Sequence, residues 1–362
     1  MAGSGLLKGL TRVERGLLAG VVLLTVLAGA ARYASGVPRV TAFVLAALAL
    51  AGDAWIVSFA TEQVGQRYGP AITGMLQSTL GNLPEFFVVI FALNAGQKIV
   101  AETAILGSIF VNALLVLGLV IIAGSRREPD RVMRFSARLP NDTATLLLIA
   151  SFIIVLVGLA NSAHDSASHH IQTISIVGAV AILAVYATWL FQYLRSDQGV
   201  EAGVEPGQRR ISTTTSVVLL TVAGVASAFV SDWFVNALAP TIKTLGISHA
   251  FAGLVIVAIA GNAVENVAGI VLASKGRPEL AISVVKNSVA QIAAFLYPLL
   301  VLVSLLTATA LTFALAPVYT GALLGTAVIV WQITGDGEAT AFEGAALIAA
   351  FVILATVAAF EP

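Results

Sequence analysis

The chain contains no cysteine, and only 10% of its residues are charged. The missing thiols exclude disulfides, thiolate metal sites and cysteine nucleophiles, but do not identify a compartment. A soluble domain carries about a quarter charged residues. This chain therefore cannot cover a globule with polar surface, whereas lipid can solvate it. Basic and acidic residues balance at 19 each, so the electrostatic footprint of a nucleic-acid-binding protein is also lacking. No Walker motif is present, which excludes ATP-driven transport by this chain, and no His-Glu-x-x-His of a metalloprotease. An intramembrane serine protease needs a His inside a span. His249 is the one candidate near a span, and no Gly-x-Ser-x-Gly partner accompanies it. An intramembrane enzyme is thus the weaker alternative to a transporter. A channel would need a continuous pore, usually ringed by ligands from several subunits.

What the chain has instead is apolar length. Hydrophobic residues make up 58% of it. A membrane span needs about 20 mostly apolar residues, and the sequence predicts eleven. They run over 15–34, 39–63, 69–95, 100–123, 141–161, 170–194, 212–238, 248–273, 279–307, 311–333 and 341–360. Lys8, Arg12 and Arg15 precede the first run as in a signal peptide. No convincing cleavage site follows, so Gly16–Ala31 reads as the core of the first span. With the N-terminus cytoplasmic, 14 Lys and Arg fall on inside segments. Four fall outside: Arg32, Arg39, Lys98 and Lys243. The remaining one, Lys286, lies within a span. The bias places the N-terminus in and the C-terminus out. The absence of a long hydrophilic tail before the first span fits a prokaryotic cytoplasmic membrane.

The chain also repeats itself. Asp53 precedes Glu85 by 32 residues, and Asp232 precedes Glu265 by 33. Each pair encloses a short polar turn and then a small-residue helix carrying Gly-Asn-x-x-Glu. Glu102 and Glu279 lie in the turns that follow. Spans 2–6 therefore match spans 7–11. Five spans per unit is an odd number, so the two units must be inverted in the bilayer, an architecture of transporters with a site at their midplane interface. The expected fold is all-α and polytopic: an N-terminal segment with the first helix (1–38), a first repeat (39–194), a cytoplasmic linker (195–211) and a second repeat (212–362).

The repeated motif carries the chemistry. Gly81-Asn82-Leu83-Pro84-Glu85 and Gly261-Asn262-Ala263-Val264-Glu265 both sit deep in apolar stretches. A carboxylate at that depth costs on the order of a few kcal/mol and is rarely idle; the bland alternative is an interhelical strut. Gly81 and Pro84 weaken the helix around Glu85, and Gly261 does so less strongly near Glu265. An opened helix frees backbone carbonyls. Together with an Asn oxygen and a carboxylate they make a hard-oxygen site suited to Ca²⁺ or another hard cation. Two facing carboxylates would neutralise a divalent ion; without the ion they would take protons instead. That competition is a mechanism for metal/proton exchange, and it implicates no cofactor beyond the transported cation and H⁺.

In these features the sequence resembles the Ca²⁺/H⁺ antiporters of the cation/Ca²⁺ exchanger superfamily, from about residue 39 onward. The first half shows Ala60-Thr61-Glu62, Gly81-Asn82-x-x-Glu85, and Leu106-Gly107-Ser108-Ile109 leading to Asn112 and Leu115-Val116-Leu117-Gly118. The second shows Ser231-Asp232, Gly253-Leu254, Gly261-Asn262-Ala263-x-Glu265, Ser288 and Gln291-Ile292-Ala293. Phe342-Glu343-Gly344 resembles the family's Leu-Glu-Gly in its last helix. The resemblance implies that Glu85 and Glu265 are the central cation and proton sites. It implies support from Asn82, Asn262, Ser108, Asn112, Ser288 and Gln291, a proton-relay role for Asp232, and an acid near the mouth of the second helix at Glu62. It also implies alternating access, with the first two helices of each repeat gating against the rest.

Three positions depart from the family pattern. Asn266 stands where His is usual, so a titrating group is lost but an oxygen ligand remains. Lys286 and Asn287 stand where an apolar residue and Gly are usual. Leu83-Pro84 replaces Ala and a small or polar residue. The Lys286 ammonium either pairs with Glu85, Glu265 or Asp232 in place of a bound cation, shifting selectivity toward Na⁺ or K⁺, or snorkels to the cytoplasmic face. Asp53 has no strong family counterpart. It reads as a second proton-relay acid or a hydrogen-bonded strut. His164, Asp165, His169 and His170 have the chemistry of Zn²⁺ or Ni²⁺ ligands, although loops of this kind are more often simply solvated. Asp336, Glu338 and Glu343 form either an acidic cytoplasmic funnel or ordinary turns.

Overall fold

The computed structural model describes residues 9–68, 80–195 and 211–361. Within its helices the side chains of residues 65–68, 193, 194 and 265 lie outside the description. Among the described residues, nine helices are long and apolar enough to cross a membrane, and ten if one bent pair counts as a single span. They are α1 (Arg12–Tyr33), α2 (Arg39–Tyr68), α3 (Leu83–Asn94), α4 (Lys98–Ser125), α5 (Arg138–Ser162) and α6 (Ile171–Arg195), then α7 (Thr213–Leu245), α8 (His249–Gly261) and α9 (Ala263–Ser274), which form the bent pair, α10 (Pro278–Leu306), α11 (Pro317–Thr334) and α12 (Ala341–Phe360), with α3 too short to be counted. The first half of the expected span 69–95, most of the linker 195–211 and Lys8, Arg209 and Arg210 lie outside the described residues. The span expected from residue 311 begins only at Pro317, whose missing N–H suits the first turn of α11.

The helix ends follow local chemistry. Thr11 and Glu14 form a capping box on α1, and Thr340 and Glu343 form another on α12. Ser212 and Ser248 cap α7 and α8 by accepting from the amides of Thr215 and Phe251. Gly246 closes α7 in the left-handed region, at φ 65°. Large apolar side chains stay exposed along the helices, including Val22, Leu23 and Val26 on α1 and Phe152, Leu156 and Leu159 on α5. Water would oppose such a surface, and acyl chains accept it.

The chain divides into two compact units, Met1–Phe91 with Leu190–Ile247, and Ala92–Trp189 with Ser248–Pro362. In the first unit α2 and α7 run antiparallel. The Phe43 and Phe234 rings meet at one end, 4.8 Å apart, while Ile56 and Val57 pack with Ala223 farther along. In the second unit helices approach backbone to backbone through glycine. A Cβ on Gly107 of α4 would strike the Leu254 carbonyl of α8, and one on Gly253 would strike Thr103. Gly118 of α4 and Gly344 of α12 face each other's carbonyls in the same way.

Loops that the charge bias assigns to one side meet one another inside the second unit. Strand β1 (Val132–Arg134) pairs antiparallel with β2 (Glu338–Thr340). The Ser136 amide donates to both carboxylate oxygens of Glu279 at 2.9 Å, and Arg127 Nε donates to the Ser274 carbonyl at 2.7 Å. At the opposite ends the Ala308 amide donates to Asn94 Oδ1, the Phe313 amide to Ser175 Oγ, and Ser248 Oγ to the Ala358 carbonyl. Arg134 bridges Asp130 at 2.6 Å and Glu338 at 3.2 Å. The hydrogen bond from Arg134, with another from the Val132 amide, holds the Asp130 carboxyl below its ordinary range.

Candidate functional site

Both Gly-Asn-x-x-Glu motifs stand where a helix begins. Gly81 and Asn82 form a turn, and Leu83 is the first residue of α3. Gly261 ends α8, Asn262 occupies the break at φ −100° and ψ 12°, and Ala263 opens α9. The chain turns by 60° across that second break. In each copy the Asn carbonyl accepts from the amide four residues on: Phe86 N to Asn82 O, and Asn266 N to Asn262 O, both 3.0 Å. Each motif glutamate thereby occupies the third position of a new helix. There the helix dipole and unpaired amides favour negative charge. The Glu85 side chain is buried, with 9% exposure. The backbone of Glu265 is set in the same way, but its side chain lies outside the described residues.

In the first unit, Asn82 is 2% exposed and neither amide atom has a hydrogen-bond partner among the described residues. Asp53, on α2, is likewise 2% exposed, with Oδ2 unpartnered. Asp232 is half-buried on α7, where its Oδ1 accepts from Asn236 Nδ2 at 3.0 Å. Glu62 is exposed.

In the second unit the supporting residues are joined. Asn262 Nδ2 donates to Ser108 Oγ at 2.9 Å and to the Ala258 carbonyl at 3.0 Å. Asn112 Nδ2 donates to Asn262 Oδ1 at 3.0 Å and to the Ser108 carbonyl at 2.9 Å. This buried network fixes the amide of the second motif on α4. Asn112 Oδ1 and Asn266 Oδ1 are left without partners among the described residues. Ser288 is buried and Gln291 half-buried, both on α10. Asn112 lies within a π-helical segment, Val111–Val116, with Ser108 just before it, and Ser288 and Gln291 precede another, Ile292–Leu296. A third π segment, Ala252–Val257, precedes the second motif. Such single-turn widenings often mark functional sites in helices. Nothing in the apolar sequence of these turns gave a signal for them.

Lys286 departs from the snorkelling alternative. It is 2% exposed, and its ammonium donates to Thr334 Oγ1 at 3.2 Å. That hydroxyl in turn donates to the Val330 carbonyl at 2.7 Å. Position 286 is enclosed by neighbouring helices, so its ammonium finds a hydroxyl near the C-terminal end of α11 rather than water. Thr334 was not legible as a partner in the sequence, 48 residues away. Among the described residues no three His, Cys, Asp or Glu side chains gather, in the histidine-rich loop or elsewhere. Asp165 instead caps a short 3₁₀ turn through the Ala167 amide, and the His164 ring reaches the Asn161 carbonyl. Asp336, Glu338 and Glu343 are turn residues, occupied respectively by the Glu338 amide, by Arg134 and by the capping box of α12.

Broken helices that bring an acid to the start of a half-helix, inside a bundle with lipid-facing apolar surface, define a polytopic membrane transporter. The sodium/calcium exchanger protein family model matches residues 38–194 and 215–360, and the chain belongs to that family. It is 32% identical over 323 residues to a vacuolar calcium ion transporter of Schizosaccharomyces pombe, covering 86% of this chain and 77% of that one. It is 30% identical over 344 residues to a Ca²⁺/H⁺ antiporter of Synechocystis sp., covering 89% and 91%. The solved structure of native YfkE matches with a TM-score of 0.78 at 26% identity, over 95% of this chain and 99% of that one. The H⁺/Ca²⁺ exchanger CAX shares the fold, with a TM-score of 0.75 at 19% identity.

Proposed function

We propose that the chain is a Ca²⁺/H⁺ antiporter, working by alternating access, in which Glu85 and Glu265 take Ca²⁺ and protons in turn. The observation that carries this reading is the paired helix break. Each copy sets its glutamate as the third residue of a new helix, at the positive end of the dipole, and the Glu85 side chain is buried there. A carboxylate there is tolerated with a bound cation or with a proton, and each occupant excludes the other. Carbonyls released at the breaks and the Asn82 amide complete a hard-oxygen ligand set. Asn262, Ser108 and Asn112 are positioning residues on this reading, with Ser288 and Gln291 beside the matching π segment. Asp232 and Glu62 stand along the proton route. The relatives named as calcium transporters and Ca²⁺/H⁺ antiporters support the choice of ion.

The two-repeat organisation, 39–194 and 212–362 after an N-terminal helix, belongs to this proposal. So do an inside N-terminus and a prokaryotic cytoplasmic membrane. A second reading, Na⁺ or K⁺ exchange for protons, is favoured by one observation: a basic side chain, Lys286, is buried among the helices, and in its protonated form it disfavours a divalent ion. Flux into everted vesicles under an imposed pH gradient, one cation at a time, decides between them. Ca²⁺ uptake that dissipates the gradient supports the first reading. Dissipation by Na⁺ or K⁺ but not Ca²⁺ overturns it.

A further inference from the structure

The first unit buries polar atoms beside those of the two-glutamate cycle. Asp53 is 2% exposed with Oδ2 unpartnered, and Ser227 of α7 is fully buried with Oγ unpartnered among the described residues. Their levels coincide. Phe43 of α2 meets Phe234 of α7, and Val57 of α2 packs with Ala223 of α7. In this antiparallel pair, Asp53 falls between Phe43 and Val57, and Ser227 between Ala223 and Phe234. The backbone of the first motif reaches the same level. Leu83 touches the position a Gly224 Cβ would take, at 3.6 Å, and Ser231 Oγ donates to the Pro84 carbonyl at 3.5 Å. Asn82, next to Leu83, brings two more unpartnered atoms. Buried polar atoms without partners are costly, and several gathered at one level point to an occupant.

We infer that Asp53, Ser227 and Asn82 form a second cation subsite within the first unit, taking a small monovalent hard cation of the Na⁺ type. The donor set is one carboxylate, one hydroxyl and one carboxamide, all hard oxygen ligands. Its single carboxylate balances one positive charge, whereas a divalent ion would leave an uncompensated charge in an apolar interior. The site does not depend on which ion Glu85 and Glu265 carry. The charged groups on the surrounding elements are Glu85 on α3, Asp232 and Lys243 on α7, and Arg39, Glu62 and Arg67 elsewhere along α2. Between Arg15 and Arg32, α1 carries none.

The test uses purified full-length protein. Retention of radioactive Na⁺ at alkaline pH is measured for the parent chain, D53N, D53L, S227A and E85Q. Infrared difference spectra on acidification follow the buried carboxylic acid band. If Na⁺ is the occupant, D53N and D53L weaken retention by about tenfold or more and S227A weakens it less, while E85Q retains the Asp53-dependent fraction. If no Na⁺ is retained and the acid band disappears in D53N, Asp53 is a protonated strut and the subsite is overturned. Retention and band both unchanged in D53N and D53L overturn the subsite. Asp53-dependent retention of Ca²⁺ in place of Na⁺ overturns the monovalent assignment. D53L replaces a buried acid with an apolar side chain and should stay monodisperse; the near-isosteric D53N keeps the test decisive if it does not. Loss of Ca²⁺ exchange in E85Q with Asp53-dependent binding intact separates this site from the proposed function.

Discussion

The two copies of Gly-Asn-x-x-Glu share their backbone and differ in their amides. Asn262 is held by Ser108, Asn112 and its own helix, so its side chain is committed before any ion arrives. Asn82 is equally buried, yet both of its amide atoms are uncommitted among the described residues. One motif is therefore rigid scaffold around its glutamate, and the other has polar capacity to spare. Identical motif letters thus divide into a positioning half and a ligand-accepting half, according to what the neighbouring helices supply.

The harshest way to break that division is to neutralise the acids. E85Q and E265Q should each lower Ca²⁺/H⁺ exchange in vesicles by at least about 100-fold, the worth of a buried charge pairing lost. Substantial activity in either would remove the acids from the centre of the cycle. The amides themselves sharpen the contrast. N262A should destabilise the protein by about 2–4 kcal/mol, because it leaves Ser108 and Asn112 with unmet buried groups. N82A should leave the thermal midpoint unchanged or raised, and instead weaken cation affinity by about tenfold. Equal destabilisation by the two would erase the distinction. K286I removes a buried ammonium held by one hydroxyl. It should raise Ca²⁺ affinity by up to about tenfold in concentration-dependent uptake, and unchanged affinity would take Lys286 out of ion choice. Smallest is R134A, at the exposed end of the two-stranded sheet, which should leave exchange unaltered. The Asp130 carboxyl, held low by Arg134, adds stability above its ordinary range and loses it as pH falls through the lowered value. Acid unfolding of R134A should therefore begin at slightly higher pH than in the parent chain.

Much of this was legible in the letters. Apolar length marked the spans, and Gly-Asn marked both helix breaks, because a helix interior rarely tolerates that pair without purpose. Nothing in the letters marked the three π segments. Those depend on how neighbouring helices pack, which single-chain periodicity does not encode. Lys286 shows the same limit. Its position left snorkelling and pairing with a site acid equally open, and the contact it makes with Thr334 on α11 joins residues far apart in sequence. Ser227 carried no signal at all, being one serine among many on an apolar helix. It matters only because antiparallel packing sets it level with Asp53.

The crossing at Gly107 and Gly253 has a mechanical corollary. With no room for even a methyl group, α4 and α8 have zero clearance and share one piece of backbone surface. Neither can rotate or slide on the other without collision, so they travel as a single lever. Whatever opens and shuts around the second motif, its asparagine and the α4 serine that grips it are carried together as cargo of one rigid arm.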